Sequence, residues 1–250
     1  MAGLDKGSVK PKRLLPGLSK KDGLTTHPFD AEFGVRTSGL VAGRHLKIGH
    51  RHDRHATAYY GVAPSVFRWL VRRWAKSRPA GAMAETTFVD LGAGMGRAVL
   101  LASEFEFKRV IGVELHPTLA GIARKNGREW RKAGRECAPM RIVEGDAAEF
   151  ALPDGPVLVF LFNPFGAAVL RRVLKSWPVG SGLPLDLIYV NNEQEHVLEM
   201  ARGWTRMYLG KVRRSKVDAI ADHAIMANQP EGEYASSNYE DCSIWRVEGI

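Results

Sequence analysis

The chain alternates between short apolar runs and longer segments in which apolar residues recur every three or four positions. The apolar runs predict five strands, at residues 87–90, 109–115, 141–146, 157–163 and 185–190. The helical spacing predicts helices at residues 97–105, 118–133, 167–177 and 193–201. Runs such as VLVFLF and LDLIYV are typical of parallel strands that are buried on both faces. The alternation therefore predicts an α/β fold with a doubly wound, mostly parallel sheet.

The segments that flank this region differ from one another. Residues 63–76 place apolar side chains on one helical face and Arg68, Arg72 and Lys76 on the other, which predicts an amphipathic helix packed on the core. Near the other end, TRMYLGKV and CSIWRV predict two late strands at an antiparallel edge. Residues 1–56 show no sustained period. We therefore predict a largely irregular N-terminal arm or cap at 1–56 and one domain at 57–250.

Charge is concentrated in the arm. The chain carries a formal net charge of +9, and residues 1–55 contain eleven Lys and Arg against five acids. A basic segment of this kind attracts acidic proteins, nucleic acids or anionic membranes, or it simply stays solvated. We predict that the arm helps to engage the macromolecule on which the protein acts, either a protein or a nucleic acid. The sequence leaves the oligomeric state open.

Two further properties bear on location. Cys137 and Cys242 have no paired spacing, which fits a reducing compartment and predicts a cytoplasmic protein. The longest apolar stretch, at residues 156–162, is too short to span a bilayer, so we expect no membrane insertion.

The stretch FVDLGAGMGRAVL, residues 88–100, reads as a strand, a tight glycine loop and a helix. Ligands of open α/β sheets bind beyond the carboxyl ends of the strands, where this loop is expected. A dinucleotide fingerprint needs a third small residue where this chain has Arg97, and Asp90 would repel a pyrophosphate. The same carboxylate attracts a ligand with an ammonium group. S-adenosylmethionine carries an ammonium and a sulfonium, so we predict it as the cofactor.

Two more acids end the next strands. Glu114 ends RVIGVE, where a carboxylate is placed to accept hydrogen bonds from both ribose hydroxyls of an adenosine. Asp146 ends the third strand, where its side chain accepts from the adenine amino group and the Ala147 N–H faces a ring nitrogen. Three acids at three successive strand ends rarely arise by chance.

The order DLGAGMG, VELHP, GDAAEF and FNPFG resembles the class I S-adenosylmethionine-dependent methyltransferases, over about residues 63–250. The resemblance implies a Rossmann-like, seven-stranded sheet whose last hairpin is antiparallel. Residues 60–64 are similar to the segment that covers the methionine half in several protein-lysine methyltransferases. The cofactor-binding residues expected from the resemblance and from the strand ends are Asp90, Gly92, Ala93, Gly94, Gly96, Glu114, Leu115, Asp146, Ala147 and Asn163.

Asn163-Pro164-Phe165-Gly166 follows the fourth predicted strand, close to the expected position of the methyl group. The motif resembles the (Asp/Asn)-Pro-Pro-(Tyr/Phe) element of amino methyltransferases that act on nucleobases and on protein glutamine, but it lacks one proline. By this resemblance Asn163 and Phe165 are catalytic: Asn163 Oδ1 accepts an N–H of a nitrogen acceptor, and Phe165 packs on the substrate. Alternatively, Asn-Pro only ends a buried strand and Phe165 belongs to the core.

His45, His50, His52 and His55 lie close to Asp53, but the basic, irregular context favours a solvated loop or a cap, and we predict no metal. The tryptophans near predicted elements are expected in the core.

Two other functions remain open. One is an NAD(P)-dependent oxidoreductase. The other is a nucleic-acid-binding module whose methyltransferase fold is catalytically silent.

Overall fold

A computed structural model of the chain describes residues 15–18, 25–55, 57–177, 182, 184–227 and 237–247. The helices are α1 (Pro28–Phe33), α2 (Pro64–Lys76), α3 (Ala82–Glu85), α4 (Arg97–Ala102), α5 (Pro117–Lys132), α6 (Ala167–Ser176), α7 (Glu195–Glu199) and α8 (Lys216–Ala227). The strands are β1 (Leu40–Val41), β2 (Tyr59–Tyr60), β3 (Thr87–Leu91), β4 (Arg109–Glu114), β5 (Met140–Glu144), β6 (Val157–Phe162), β7 (Leu185–Val190), β8 (Trp204–Arg213) and β9 (Tyr239–Val247). None of the helices in these residues is long and apolar enough to cross a membrane.

Seven strands form one central sheet in the order β5-β4-β3-β6-β7-β9-β8. The first five are parallel, and β9 is antiparallel to both of its neighbours. The predicted fold class is thereby confirmed. The order of the strands reverses at β3, so a crevice is expected beyond the carboxyl ends of β3 and β6.

The sheet is covered on both faces, which explains the unbroken apolar runs. Phe88 and Val110 point into one apolar layer, which contains the buried side of α2 and α4. Val89 and Ile111, each one residue later, point into the other layer, which contains α6 and α7. Because successive side chains of a strand face opposite sides, both must be apolar in a doubly covered sheet.

The predicted strands and helices agree with the structure to within a few residues. Helix α8 had no counterpart among the predictions. Its exposed side includes Val217 and Ile220 while Ala221 and Ile225 are buried, so apolar residues on both sides conceal the helical period.

The described part of residues 1–56 packs on the domain. Strand β1 pairs antiparallel with β2, and the Phe29 ring of α1 lies 5.5 Å from the ring of Trp130. Residues 1–14 and 19–24 lie outside the described residues. The division of the chain at residue 56 stays a prediction.

Candidate cofactor and acceptor site

A first cavity lies beyond the carboxyl ends of β3, β4 and β5, next to α4. The predicted site residues that line it are Asp90, Gly92, Ala93, Gly94, Glu114, Leu115, Asp146, Ala147 and Phe165. Residues 60–62, which precede α2, also line it. The three strand-end acids and the glycine loop, which are far apart in the sequence, therefore surround one space.

The three glycines of the loop have positive φ angles, of 84° at Gly92, 55° at Gly94 and 87° at Gly96. A Cβ at Gly92 would lie 2.4 Å from the Pro164 side chain, and one at Gly94 would lie 2.2 Å from the Tyr59 ring. Gly96 does not line the cavity. It is the N-cap of α4, so its freedom serves the turn into the helix.

Asp90 and Glu114 are both buried at the cavity wall. No described residue donates a hydrogen bond to the Asp90 carboxylate, and burial, followed by the Glu114 charge, raises the pKa of Asp90 well above its usual range. Glu114 accepts the Gly94 N–H at 2.6 Å through Oε2 and the His116 N–H at 2.8 Å through Oε1. Burial still raises the pKa of Glu114, although these amides act to lower it. The Asp90 carboxylate thus lacks a cation, which a positively charged ligand would supply.

Arg97 occupies the position that the dinucleotide fingerprint reserves for a small residue. It is buried, its Nε donates to Thr37 Oγ1 at 2.7 Å, and its Nη1 donates to the Gly61 carbonyl at 3.1 Å. Nη2 lies 4.0 Å from Asp30 Oδ1, and Asp30 accepts four hydrogen bonds from the N–H and hydroxyl groups of Thr37 and Ser38. Arg97 therefore fastens the N-terminal segment and residues 60–62 to the start of α4. No local sequence signal indicates this network, because the partners of Arg97 lie 36 to 67 positions before it in the chain.

Two histidines of the N-terminal segment face Asp146. Its Oδ1 accepts the Ala148 N–H at 2.9 Å, while its Oδ2 lies 2.8 Å from His52 Nδ1 and 3.8 Å from His50 Nε2. These three side chains have the spacing of metal ligands. However, His50 Nδ1 accepts the His52 backbone N–H at 3.2 Å, so a neutral His50 ring carries its proton on Nε2 and has no lone pair there for a metal. The geometry favours a cap in which the two histidine rings close the Asp146 end of the cavity, with His52 Nδ1 and Asp146 Oδ2 in close contact but not hydrogen-bonded.

A second cavity lies beyond the carboxyl ends of β6 and β7. Its lining includes Asn163 and Asn191, which have φ angles of 39° and 49° and are the two residues other than glycine with positive φ among the described residues. Backbone strain of this kind clusters at functional sites. The Asn163 side chain accepts a hydrogen bond from the Tyr189 hydroxyl at 3.3 Å, and Thr57 Oγ1 donates to the Asn163 carbonyl at 2.5 Å.

The second cavity is acidic and partly aromatic. Its lining carries three carboxylates, of Glu193, Glu240 and Asp241, against one guanidinium, of Arg214. Arg214 donates to Glu240 at 2.5 Å, and Lys211 Nζ lies 3.9 Å from Asp241 Oδ1. The exposed Glu193 is therefore the carboxylate of this lining that has no cation within 4.0 Å among the described residues. An acceptor that is positively charged in solution is attracted to such an opening.

A thin wall separates the two cavities. Thr57, Ala58, Tyr60 and Phe162 line both of them, and the Tyr60 and Phe162 rings meet edge to face with centroids 6.3 Å apart. The predicted catalytic pair is divided by this wall. Asn163 lines the second cavity and not the first, so its predicted contact with the cofactor is not seen, whereas Phe165 lines the first cavity and packs into the core.

Comparison with known proteins agrees with this geometry. A sequence model of the family "Histone methylation protein DOT1" matches residues 80–138, which contain β3, the glycine loop, β4 and α5. A sequence search finds no match among curated proteins.

Several solved structures are similar to the chain at low sequence identity. A candidate RNA methyltransferase from Pyrococcus horikoshii is 17% identical, with a TM-score of 0.48, and the match covers 75% of this chain and 84% of that one. Magnesium protoporphyrin IX methyltransferase from Synechocystis, solved with bound S-adenosylmethionine, is 14% identical, with a TM-score of 0.46 and coverage of 74% and 77%. An RNA methyltransferase from Salinibacter ruber, in complex with S-adenosylhomocysteine, is 20% identical, with a TM-score of 0.43 and coverage of 73% and 94%. Values this low say nothing about which molecule this chain methylates.

The family match spans the glycine loop and the strand that ends in Glu114, and the structure adds the seven-stranded order and a cavity lined by three strand-end acids. Arg97 is engaged with the N-terminal segment, which leaves the dinucleotide reading without its third small residue. These findings support the predicted similarity to class I S-adenosylmethionine-dependent methyltransferases, with S-adenosylmethionine as the cofactor.

Proposed function

We propose that the protein transfers the methyl group of S-adenosylmethionine to a nitrogen atom of an amine that occupies the second cavity. The observation that carries this proposal is the position of Asn163. Asn163 lines an acidic cavity that shares a wall with the first cavity, and its Oδ1, which accepts the Tyr189 hydroxyl, keeps a second lone pair for a ligand. The strained backbone of Asn163 and Asn191 beside that wall supports a functional role.

In this proposal the first cavity holds the cofactor by its polar ends. Asp90 pairs with the ammonium of the methionine half, against the bare backbone of Gly92 and Gly94. Glu114 accepts the ribose hydroxyls through the lone pairs that the two amides leave free. Asp146 Oδ2, which faces His52, accepts from the adenine amino group. Tyr60 and Phe162, which line both cavities, would flank the sulfonium methyl group.

The chemistry asks little beyond positioning. The sulfonium is already activated, so an acceptor with a free lone pair in line with the methyl carbon reacts without a metal. Asn163 Oδ1 accepts one N–H of the acceptor and thereby orients its lone pair. The carboxylates of the opening, above all the unpaired Glu193, attract the protonated amine, and the amine must lose its proton to solvent before the transfer. We favour an amine over an amide because an amide would gain nothing from these charges.

The experiment uses a cofactor with a trideuterated methyl group. The protein is incubated with separated protein and RNA fractions of a cell extract, and mass spectrometry of hydrolysed amino acids and nucleosides identifies the labelled atom. We expect label on a nitrogen. Label on oxygen or carbon alone would refute the nitrogen acceptor while leaving the methyltransferase assignment intact.

A variant tests the role of Asn163 itself. Asn163→Gly keeps a residue that tolerates positive φ and removes only the side chain. We expect kcat to fall about a hundredfold, typical of a lost positioning contact, with unchanged affinity for S-adenosylhomocysteine. Asn191→Gly, at the same position of the next strand, is the matched control for a general effect on the second cavity.

We also propose that the basic N-terminal segment contacts a protein or nucleic-acid acceptor. Removing residues 1–55 would not test this, since Leu46 and His52 line the first cavity. Deleting residues 1–14, which carry Lys6, Lys10, Lys12 and Arg13, should raise the KM of the acceptor and leave cofactor affinity unchanged.

The two free cysteines, Cys137 and Cys242, are consistent with a cytoplasmic location.

A further inference from the structure

We infer that the outer face of α2 binds single-stranded nucleic acid. A groove runs along this face, away from both cavities described above, and its lining includes Trp69, Arg72, Arg73 and Lys76 from α2 and Ser215 from the β8–α8 connection. The groove begins at Pro64, just after residues 60–62, which line the first cavity. This surface is independent of the proposed amine acceptor and of the N-terminal basic segment.

The groove holds cations that nothing in the described residues neutralises. Neighbouring arginines are paired: Arg68 donates to both oxygens of Glu104 at 2.7 and 2.8 Å, and Arg78 lies 3.6 Å from Asp186. Arg72, Arg73 and Lys76 are exposed, and no carboxylate among the described residues lies within 4.0 Å of them. Three unpaired cations within five residues of one helix create a site for a polyanion.

Asp218, the acid in the lining of this groove, does not offset these charges. Its Oδ2 accepts the Ser65 N–H at 2.8 Å, its Oδ1 lies 3.5 Å from His27 Nε2, and the residue is buried. The carboxylate is therefore turned towards the protein interior, and the free charge at the surface is positive.

An exposed aromatic ring distinguishes this surface from an ordinary solvated face. Trp74 and Trp130 are buried as expected for core tryptophans, whereas Trp69 is 39% exposed. The Trp69 ring lies 5.4 Å from Tyr208, and the Arg73 guanidinium lies 5.4 Å from the Trp69 ring centroid and 4.3 Å from that of Tyr208. The cation and the indole are thus held side by side before any ligand arrives.

This pairing fits unpaired bases better than other anionic partners. An exposed indole stacks on a base, and the adjacent cations meet the phosphates on either side of it. A duplex hides the faces of its bases, and an acidic peptide has no flat ring to stack on Trp69. RNA and single-stranded DNA share this chemistry, and the experiment includes both.

The test measures fluorescence anisotropy of a labelled 12-nucleotide oligouridylate with the full-length protein, over a series of salt concentrations. The variant Arg72→Ala/Lys76→Ala removes two cations four residues apart on α2. The matched control, Arg171→Ala/Lys175→Ala, removes two exposed cations at the same spacing on α6. All proteins keep the basic N-terminal segment, so the difference between the two pairs isolates α2.

We expect the α2 pair to lose at least tenfold in affinity and to reduce the salt slope by about 1.4, from about 0.7 per phosphate contact on a single strand. Trp69→Ala should lose about tenfold with an unchanged salt slope. The α6 control should stay within twofold of the unchanged protein, and oligodeoxythymidylate should bind as the RNA does. Melting temperatures within 2 °C of that of the unchanged protein verify folding.

Three results would overturn the inference. One is an equal loss of affinity in the α2 pair and the α6 pair, which would mean general charge attraction. A duplex of the same length could bind more tightly than the single strand. The third result is competition by another anionic partner, either vesicles with 30% phosphatidylserine or a polyglutamate peptide. If such a competitor displaced the oligonucleotide from the unchanged protein but not from Arg72→Ala/Lys76→Ala, the partner of this surface would be a membrane or an acidic protein.

Discussion

We predict that His27 makes the stability of the protein sensitive to mild acid. The side chain is 1% exposed, and its Nδ1 accepts the Phe29 N–H at the start of α1. Burial, and next the charge of Arg97, lower the pKa of His27 from 6.5 to about 4, against the opposite effect of Asp218 and Asp30. Between pH 6.5 and about 4, His27 is therefore mostly neutral in the folded protein and mostly protonated in the unfolded chain.

This difference in the pKa of His27 decides over which pH range the protein loses stability, and how much. Above pH 6.5 the lowered pKa of His27 does not change the free energy of unfolding. As the pH drops from 6.5 towards 4, the free energy of unfolding decreases. Each pH unit in this window costs about 1.4 kcal/mol, so moving from pH 7 to pH 5 should destabilise the protein by about 2 kcal/mol through His27 alone.

The assay is urea unfolding followed by tryptophan fluorescence at pH 7 and pH 5. His27→Asn replaces the ring with a side chain that still caps α1 but does not titrate. The unchanged protein should lose about 2 kcal/mol more between the two pH values than His27→Asn does. His223→Asn, at an exposed position of α8, should behave like the unchanged protein. Equal losses for His27→Asn and the unchanged protein would refute the reasoning.

Three further predictions concern the loop and its acids. Glu114→Ala should weaken S-adenosylhomocysteine binding about ten- to a hundredfold in calorimetry, because hydrogen bonds to a charged group are lost. An unchanged affinity would mean that Glu114 does not bind the cofactor. Gly94→Ala should lower the melting temperature by several degrees, because a Cβ there meets the Tyr59 ring at φ 55°, while Gly121→Ala, in open space on α5, should be neutral or stabilising. Asp90→Asn should raise the melting temperature of the free protein and weaken cofactor binding, because it removes a buried charge that only the ligand compensates; a fall in both would contradict this role.

The sheet and the first cavity were predictable because their signals are local. An apolar run that ends in an acid identifies a buried strand and its carboxyl end, and parallel strands bring those ends together. The positions of Asp90, Glu114 and Asp146 around one space follow from that rule. The glycine loop adds a backbone requirement that the positive φ angles bear out.

What escaped prediction depends on pairs that are distant in sequence. No residue close to Arg97 in the sequence indicates that Thr37 and Asp30 contact it, and none close to Asp146 indicates the contact with His52. The wall that divides Asn163 from Phe165 also has no local sign, because a turn decides on which side each residue falls. Trp69 shows the same limit, since helical spacing places it near the core while the structure leaves it exposed.

The wall between the two cavities has a kinetic meaning. In the proposed function each ligand has a cavity of its own, and the methyl group would cross between Tyr60 and Phe162 without either ligand leaving first. The proposed reaction would therefore pass through a complex that holds both substrates together, and initial-rate plots at several cofactor concentrations should intersect. An acceptor that stays in place while spent cofactor is exchanged can receive a second methyl group in the same encounter.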